Sequence, residues 1–264
     1  MILNTEGQNN ETCSSGDFFD EWLEIWTYII KCHQKILLRE KNGTRNRILD
    51  NLRDVVRSHY VSPEIMASRI EQLGAEKTAE LLRDHLPTEK RSRSGELGEI
   101  LATEFVTRKL HYRVPILRLR WKDGREMSLR GDDVIAFRRD EGERLYFLKG
   151  EAKSRARLTP DVVQQAADAL DQDHGRPGRH SVLFVAERLR EKGEDKTAIL
   201  LEKAVLNSFH GYEIEHLLFT FSGNSPDDYL SNHLEGLECE IRRYAVGLLI
   251  TNHGDFIQFI YEGL

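Results

Sequence analysis

Cysteine is scarce in this chain: Cys13, Cys32 and Cys239 stand far apart among 264 residues. They form no Cys-x-x-Cys pair. No disulfide framework is expected, which fits a reducing cytoplasm. Proline is also sparse, with six residues, and the 19 glycines follow no repeat, so collagen-like and low-complexity classes are excluded. Long apolar runs are missing. The longest clean one, Ala245 to Ile250, is interrupted by Gly247, too short to span a bilayer, so no membrane association is expected. The start, Met1-Ile2-Leu3-Asn4-Thr5-Glu6, lacks the basic stretch and apolar core of a signal peptide. No Gly-rich phosphate loop, dinucleotide fingerprint or Gly-x-Ser-x-Gly elbow is present, and no small-molecule cofactor is expected.

What remains is a globular composition, 39% hydrophobic and 31% charged. The length suits one large domain, or one domain with a smaller one appended. Net charge is −6, which argues against nonspecific nucleic-acid binding. Its distribution says more. Met1 to Glu24 holds six acids and no Lys or Arg, whereas Phe105 to Arg130 holds eight Lys or Arg against two acids. A mildly acidic protein can carry a basic groove, because polyanion binding depends on the local field.

Residues 1–16 are polar and read as a flexible N-terminus. From Asp17, Phe18, Trp22, Ile25, Trp26 and Ile29 recur at helical spacing, up to a break at Asn42-Gly43. Ile48, Leu49, Leu52, Val55 and Val56 mark a second helix, Ser62-Pro63 starts a third, and Gly74 and Pro87 bound a fourth. The polar, basic stretch 88–94 reads as a connector between a helical N-terminal region, 17–90, and a second domain, 91–264. In the latter a helix is expected from about Gly95 to Leu110. Strands follow at about 113–121, 126–137 and 144–153. A helix starts at Thr159-Pro160-Asp161, and Val182 to Ala186 reads as a buried strand. A helix over 195–208 and strands at Leu217 to Phe221 and Ile241 to Thr251 complete an α/β (α+β) unit in the order αβββαβ.

The chemistry concentrates between Arg130 and Arg155. Gly131-Asp132-Asp133 opens one apolar strand, and Glu151-Ala152-Lys153 closes the next, 18 positions later. On a strand, residues i and i+2 share a face, so Glu151 and Lys153 project together, and antiparallel pairing brings Asp133 beside them. Two carboxylates at one locus repel unless a cation joins them. A hard divalent ion, Mg²⁺ or Mn²⁺, is the natural occupant. Such an ion polarises a phosphodiester, and a neighbouring Lys offsets charge in the transition state. A cross-strand surface ion pair is the plainer reading of Glu151 and Lys153, and a second triplet, Glu194-Asp195-Lys196, lies in a polar run with that plain character. On the preceding helix, Glu96 falls in the first turn if Ser94 is the cap, where the helix dipole accounts for an acid. Glu99 lies one turn on, beside Gly98, whose smallness lets a Glu approach a sheet. A solvated helix acid is its alternative.

These residues resemble the PD-(D/E)xK nuclease superfamily over roughly residues 90–190. The string Gly95-Glu96-Leu97-Gly98-Glu99, the αβββαβ order and the helical extension resemble the HamA family more narrowly. HamA proteins are the nuclease subunits of two-gene bacterial Hachiman anti-phage systems, whose partner HamB is a helicase. The resemblance implies an αβββαβ core with a mixed central sheet, Asp133 and Glu151 as metal ligands with the Ala152 carbonyl, Lys153 orienting water, and Glu99 as accessory ligand or base. Gln164 or Gln165, early in the next helix, matches a position where related nucleases turn a Gln to the metal; an ordinary surface Gln is the alternative for either. The superfamily's Pro before the first acid is replaced by Asp132-Asp133. Asp133 fits the ligand position better, because Val134 and Ile135 follow it directly. Pleat parity turns Asp132 to the opposite side.

Arg118 and Arg120 alternate with Leu117, Leu119 and Trp121. They form either one solvated strand face or, with Arg130, a strand floor beneath DNA that leads to Asp133. His210, Glu213 and His216 do not match the two-histidine zinc helix and read as scattered residues. Trp22, Trp26 and Tyr28 are core, or the face that docks a partner. The function expected is a Mg²⁺-dependent deoxyribonuclease in a cytoplasmic defence complex with DNA and a helicase. The alternatives are a non-catalytic DNA-binding scaffold and a stand-alone restriction-type endonuclease.

Overall fold

The computed structural model describes residues 17–127, 129–142 and 144–264. The flexible segment expected at 1–16, with Cys13, lies outside the described residues. The chain opens with α1 (Phe18–Trp22), β1 (Leu23–Ile30) and β2 (His33–Glu40). Four helices follow: α2 (Arg45–Tyr60), α3 (Pro63–Leu73), α4 (Ala75–His85) and α5 (Lys90–Arg108). After a 3-10 turn at Arg118–Trp121 come β3 (Val134–Arg139), β4 (Leu145–Arg155), α6 (Pro160–Asp171), α7 (Arg179–Glu191) and α8 (Asp195–Leu206). The chain ends with β5 (Glu213–Ser222), α9 (Asp227–Glu235), β6 (Arg242–Leu249) and α10 (His253–Glu262).

The expected α/β class is observed, as a six-stranded mixed sheet in the order β1-β2-β6-β5-β4-β3. β2, β6, β5 and β4 run parallel, and the outer strands β1 and β3 are antiparallel to their neighbours. Alternation along the strands builds two cores. Leu217, Phe219 and Phe221 of β5 pack beneath Leu97, Leu101 and Phe105 of α5, together with α1, α2 and α10. The other face is covered by α6 and α9 over Leu218 and Ala245, and by α7 and α8 over Ile135 and Phe147. No helix among the described residues is long and apolar enough to cross a membrane.

Several local expectations are corrected. The helical stripe from Asp17 ends after one turn and becomes the β1–β2 hairpin, so the N-terminal extension is not purely helical. Six of the eight residues of β1, Ile25 to Ile30, are β-branched or aromatic and favour a strand. Lys31 takes the left-handed conformation (φ 55°) that a two-residue hairpin turn needs. The connector at 88–94 is largely the start of α5. Ser94 is therefore inside the helix and not its cap, and Glu96 is buried at 1% exposure instead of facing water in a first turn. The strand expected at 113–121 is only a bridge from Arg113 to Phe137 followed by the 3-10 turn, so the three-strand run of the expected core has two strands. The strand expected at Val182 to Ala186 is helix α7. Its buried residues Ser181, Val182, Val185, Ala186 and Leu189 follow the three-four spacing of a helix face. Finally, Cys32 and Cys239 are joined by a disulfide across 207 positions, tying the β1–β2 turn to the segment before β6. Fold, not sequence spacing, brings these two together.

Candidate active site

The site forms where the β3–β4 hairpin meets α5. The antiparallel register pairs Val134 with Gly150, so one step back sets Asp133 opposite Glu151. The strands approach closely because position 150 is glycine; a Cβ there would lie 2.8 Å from Val134 Cβ. The Ala152 N–H donates to Asp133 Oδ2 at 2.9 Å and fixes that carboxylate against β4. Lys153, two residues beyond Glu151 on the same face, donates to the Glu151 carboxylate. Helix α5 is clamped onto β4 by small residues. A Cβ on Gly98 would stand 3.2 Å from Ser154 Cβ, and the Ser94 and Ser154 hydroxyls are 2.8 Å apart. This contact lowers Glu99 toward Asp133, and both line one small enclosed cavity with Arg118.

Electrostatics set this corner apart. Burial, and then the charge of Glu151, push the Asp133 carboxyl up to about 7, against the opposing pull of the Ala152 N–H, Arg118 and Lys153. Burial and the Asp133 charge hold Glu99 well above the ordinary carboxylate range. Hard oxygen donors that repel one another suit a small divalent cation. The set is open, since the three carboxylates do not all approach within 4.8 Å of one another. Among the described residues the compact group is Cys32, His33 and Cys239, whose sulfurs are bonded to each other.

Asp132 and Asp133 part ways as pleat parity implies. The Asp132 carboxylate accepts from the Gly178 N–H at 2.7 Å, its N–H donates to Ser181 Oγ at 3.1 Å, and Lys149 stands 3.7 Å away. Gly131, at φ 105°, lets the chain pass Ser181, whose Oγ would be 2.1 Å from a Cβ. Both aspartates line a cleft of about 550 Å³ with Glu151, Ala169, Gln172, Asp173, Arg179 and His180. Gln165, one turn before Ala169 on α6, is exposed and is not itself among the residues lining this cleft. Gln164 instead donates to Asp168 at 2.7 Å, on the solvent side. Arg179 and His180 were missed because their segment reads as the lead-in to a strand; the Gly178 start of α7 aims them at the cleft.

The basic face of Arg118 and Arg120 is not assembled. Arg118 donates to the carbonyls of Leu129 at 2.8 Å, Arg130 at 3.0 Å and Asp132, bracing the segment that leads into Asp133. Arg120 donates to the Ser58 carbonyl at 2.6 and 2.9 Å, toward α2. The 3-10 turn removes the alternation that a strand would have given them. Arg130 remains exposed. His210 and Glu213 are exposed, while His216 is buried, with Nε2 2.7 Å from the Gly175 carbonyl and Nδ1 2.9 Å from Arg243. Trp22 is core, donating to Glu40 and stacked on Phe256. Trp26 and Tyr28 stay 40% and 45% exposed on the edge strand.

A family model described as HamA matches residues 16–264. A curated protein named Hachiman protein HamA, from Bacillus cereus, is 23% identical over 163 residues, which cover 61% of this chain and 58% of that protein.

Proposed function

The chain belongs to the HamA family, and from that membership we propose that it is a metal-dependent deoxyribonuclease, the effector subunit of a Hachiman anti-phage complex. The observation that carries this reading is the opposed Asp133 and Glu151, both beside Lys153, with Glu99 lowered onto the same corner by Gly98. Asp133, Glu151 and the Ala152 carbonyl would hold Mg²⁺ or Mn²⁺. When bound, the ion supplies positive charge against the reacting phosphodiester.

The remaining work falls to the chain itself. Hydrolysis joins a water oxygen to phosphorus and breaks the bond to the leaving oxygen, so one proton must leave the water and one must reach the leaving group. Lys153 stands where its ammonium orients the water and offsets charge gathering on the phosphoryl oxygens. Glu99, held above the ordinary carboxylate range by burial and by Asp133, is the candidate proton carrier of the site. Arg118 keeps the Asp133 segment in place through three carbonyls. Gln165 is the candidate to contact the occupied site from α6.

A HamB-type helicase is the proposed partner. The region 17–90 carries the dock, with the exposed β1 edge (Trp26, Tyr28 and Ile29) at its centre. Unpaired edge N–H and C=O groups and apolar side chains on both faces suit a protein partner.

The test is cleavage of one plasmid in Mg²⁺ and in chelator, by the chain alone and with its helicase. Wild type should cut only with the metal. Glu151→Ala should be inert while its metal-free melting temperature stays equal or rises, because like-charge repulsion is relieved. Lys153→Ala should lose more turnover than DNA affinity. Normal cleavage by Glu151→Ala rejects the assignment. A wild type that binds DNA without cutting it favours the scaffold reading.

A further inference from the structure

A basic hollow lies beyond the carboxylate corner, where β4 ends and α5 and α10 begin. It measures about 730 Å³, within the range of a ligand site. Lys90, Arg91, Arg93 and Arg155 line it against one acid, Asp255. Most arginines and lysines near the catalytic corner are engaged with carboxylates or carbonyls. Two of the four here are not: the side chains of Lys90 and Arg91 have no hydrogen bond or ion pair among the described residues. Arg155 uses one NH group on the Ser154 carbonyl at 2.8 Å. Arg93 bonds the Pro87 carbonyl at 2.9 Å and lies over the Tyr261 ring.

The inner wall is hydrogen-bonded within itself. His253, buried at 4%, is 2.9 Å from Ser154 Oγ, which is 2.8 Å from Ser94 Oγ. The trio resembles a hydrolase relay, but its bonds are spent within the wall. The His253 ring also packs on the Phe221 ring, their centroids 4.3 Å apart. The trio is therefore a scaffold for the cations in front of it.

Position gives the hollow its meaning. Helix α5 runs from Lys90 and Arg91 to Glu99, a rise of roughly 13 Å. β4 runs the other way, from Glu151 to Arg155, also roughly 13 Å. Both elements thus join the carboxylates to the cations over one length, about four stacked nucleotide steps of roughly 3.4 Å. We propose that Lys90, Arg91, Arg93 and Arg155 grip the phosphodiester backbone of the DNA strand about four nucleotides from the bond presented to Asp133 and Glu151. The grip rests on charge and shape; its register to a scissile bond rests on the nuclease reading above.

The experiment measures binding, without metal, of a fluorescein-labelled 20-nucleotide single strand by anisotropy at several salt concentrations. A Lys90→Ala, Arg91→Ala, Arg155→Ala triple variant should lose at least about tenfold in affinity, and its log–log salt slope should flatten by about 2, at ~0.7 per phosphate contact. Arg91→Glu alone, at an exposed position, should weaken binding in the same direction and guards against a misfolded triple. Unchanged affinity and slope in both would overturn the grip. Plasmid cleavage in Mg²⁺ is scored separately. Weakened binding with an inactive wild type leaves the grip standing and removes the nuclease, whereas cleavage with unchanged binding does the reverse.

Discussion

Glu96, buried, and Glu99, half-buried, lie three residues apart on α5 in opposite surroundings. Glu96 is answered: the Tyr60 hydroxyl donates to it at 2.5 Å, Lys122 is 2.5 Å away, and Tyr60 in turn meets the Tyr261 hydroxyl at 2.8 Å. Burial raises its carboxyl, and Lys122 and Tyr60 pull it back. Glu99 meets Asp133 and Glu151 instead, and only Arg118 opposes them among its principal neighbours. One helix turn thus separates a closed polar knot, which holds α2, α5 and α10 together, from a set of carboxylates whose charge is left for something else to balance. Buried charge that is satisfied reads as structure; buried charge of one sign, facing a cleft, reads as a site.

The largest effect expected lies at the open corner. Asp133→Ala should lower Mg²⁺-dependent cleavage by about a thousandfold or more, several kcal/mol of barrier. Its metal-free melting temperature should not fall. Asp132→Ala should melt earlier instead, because the Gly178 N–H and Lys149 lose their partner. If both substitutions act alike in melting and cleavage assays, the two aspartates do not have separate tasks.

Next comes the knot. Lys122→Ala leaves Glu96 only the Tyr60 hydroxyl and should cost about 3–5 kcal/mol in a denaturant titration, as breaking one side of a buried pair does. Glu99→Gln, one turn away, should leave metal-free stability unchanged or improved. Equal losses in Lys122→Ala and Glu99→Gln would erase the contrast.

The smallest effect is in pH and metal. Asp133 rises from an ordinary 3.8 to about 7 on folding, so the folded state holds its proton more tightly than the unfolded chain. That contribution is complete below about 3.8 and is lost as pH climbs through about 7. Metal-free protein should therefore lose stability across this window, with Glu99 adding in the same sense. Mg²⁺ at a hundred times its dissociation constant should return about 2.7 kcal/mol near neutrality and flatten the profile. A melting series with and without Mg²⁺ reads both; a metal-free profile that rises with pH in this window contradicts the open-corner picture.

Much of the carboxylate corner was legible in the sequence because it depends on short-range rules. Pleat parity separates Asp132 from Asp133 and aligns Glu151 with Lys153, and Gly98 marks where α5 comes close. The starts of α3 and α6, Ser62-Pro63 and Thr159-Pro160, were readable for the same reason. What escaped depends on distant partners. Leu23 to Ile30 carries both a helical stripe and strand-forming residues, and β2, paired to the far β6, settles the matter. Ser181 to Leu189 is a helix face that reads as a strand when only its apolar centre is considered. Arg118 and Arg120 look like free cations until the carbonyls they serve, at 129–132 and 58, are brought to them. Glu96 looks like a helix-start acid until Tyr60 and Lys122 arrive from elsewhere.

The parallel pairing of β2 with β6 has a consequence in time. β2 ends at Glu40 and β6 spans Arg242–Leu249. At about 5–20 residues per second of synthesis, the first hairpin waits on the order of 10–40 s for the strand that joins it to the sheet. During that interval Ile36 and Leu38 have no finished core beneath them, and both sides of the hairpin are open to capture. The strand that seats β2, β6, also pairs with β5 and so completes the sheet supporting β4. A nascent chain therefore carries its carboxylates for many seconds before the platform that aligns them exists, and the last strand made is the one that completes that platform.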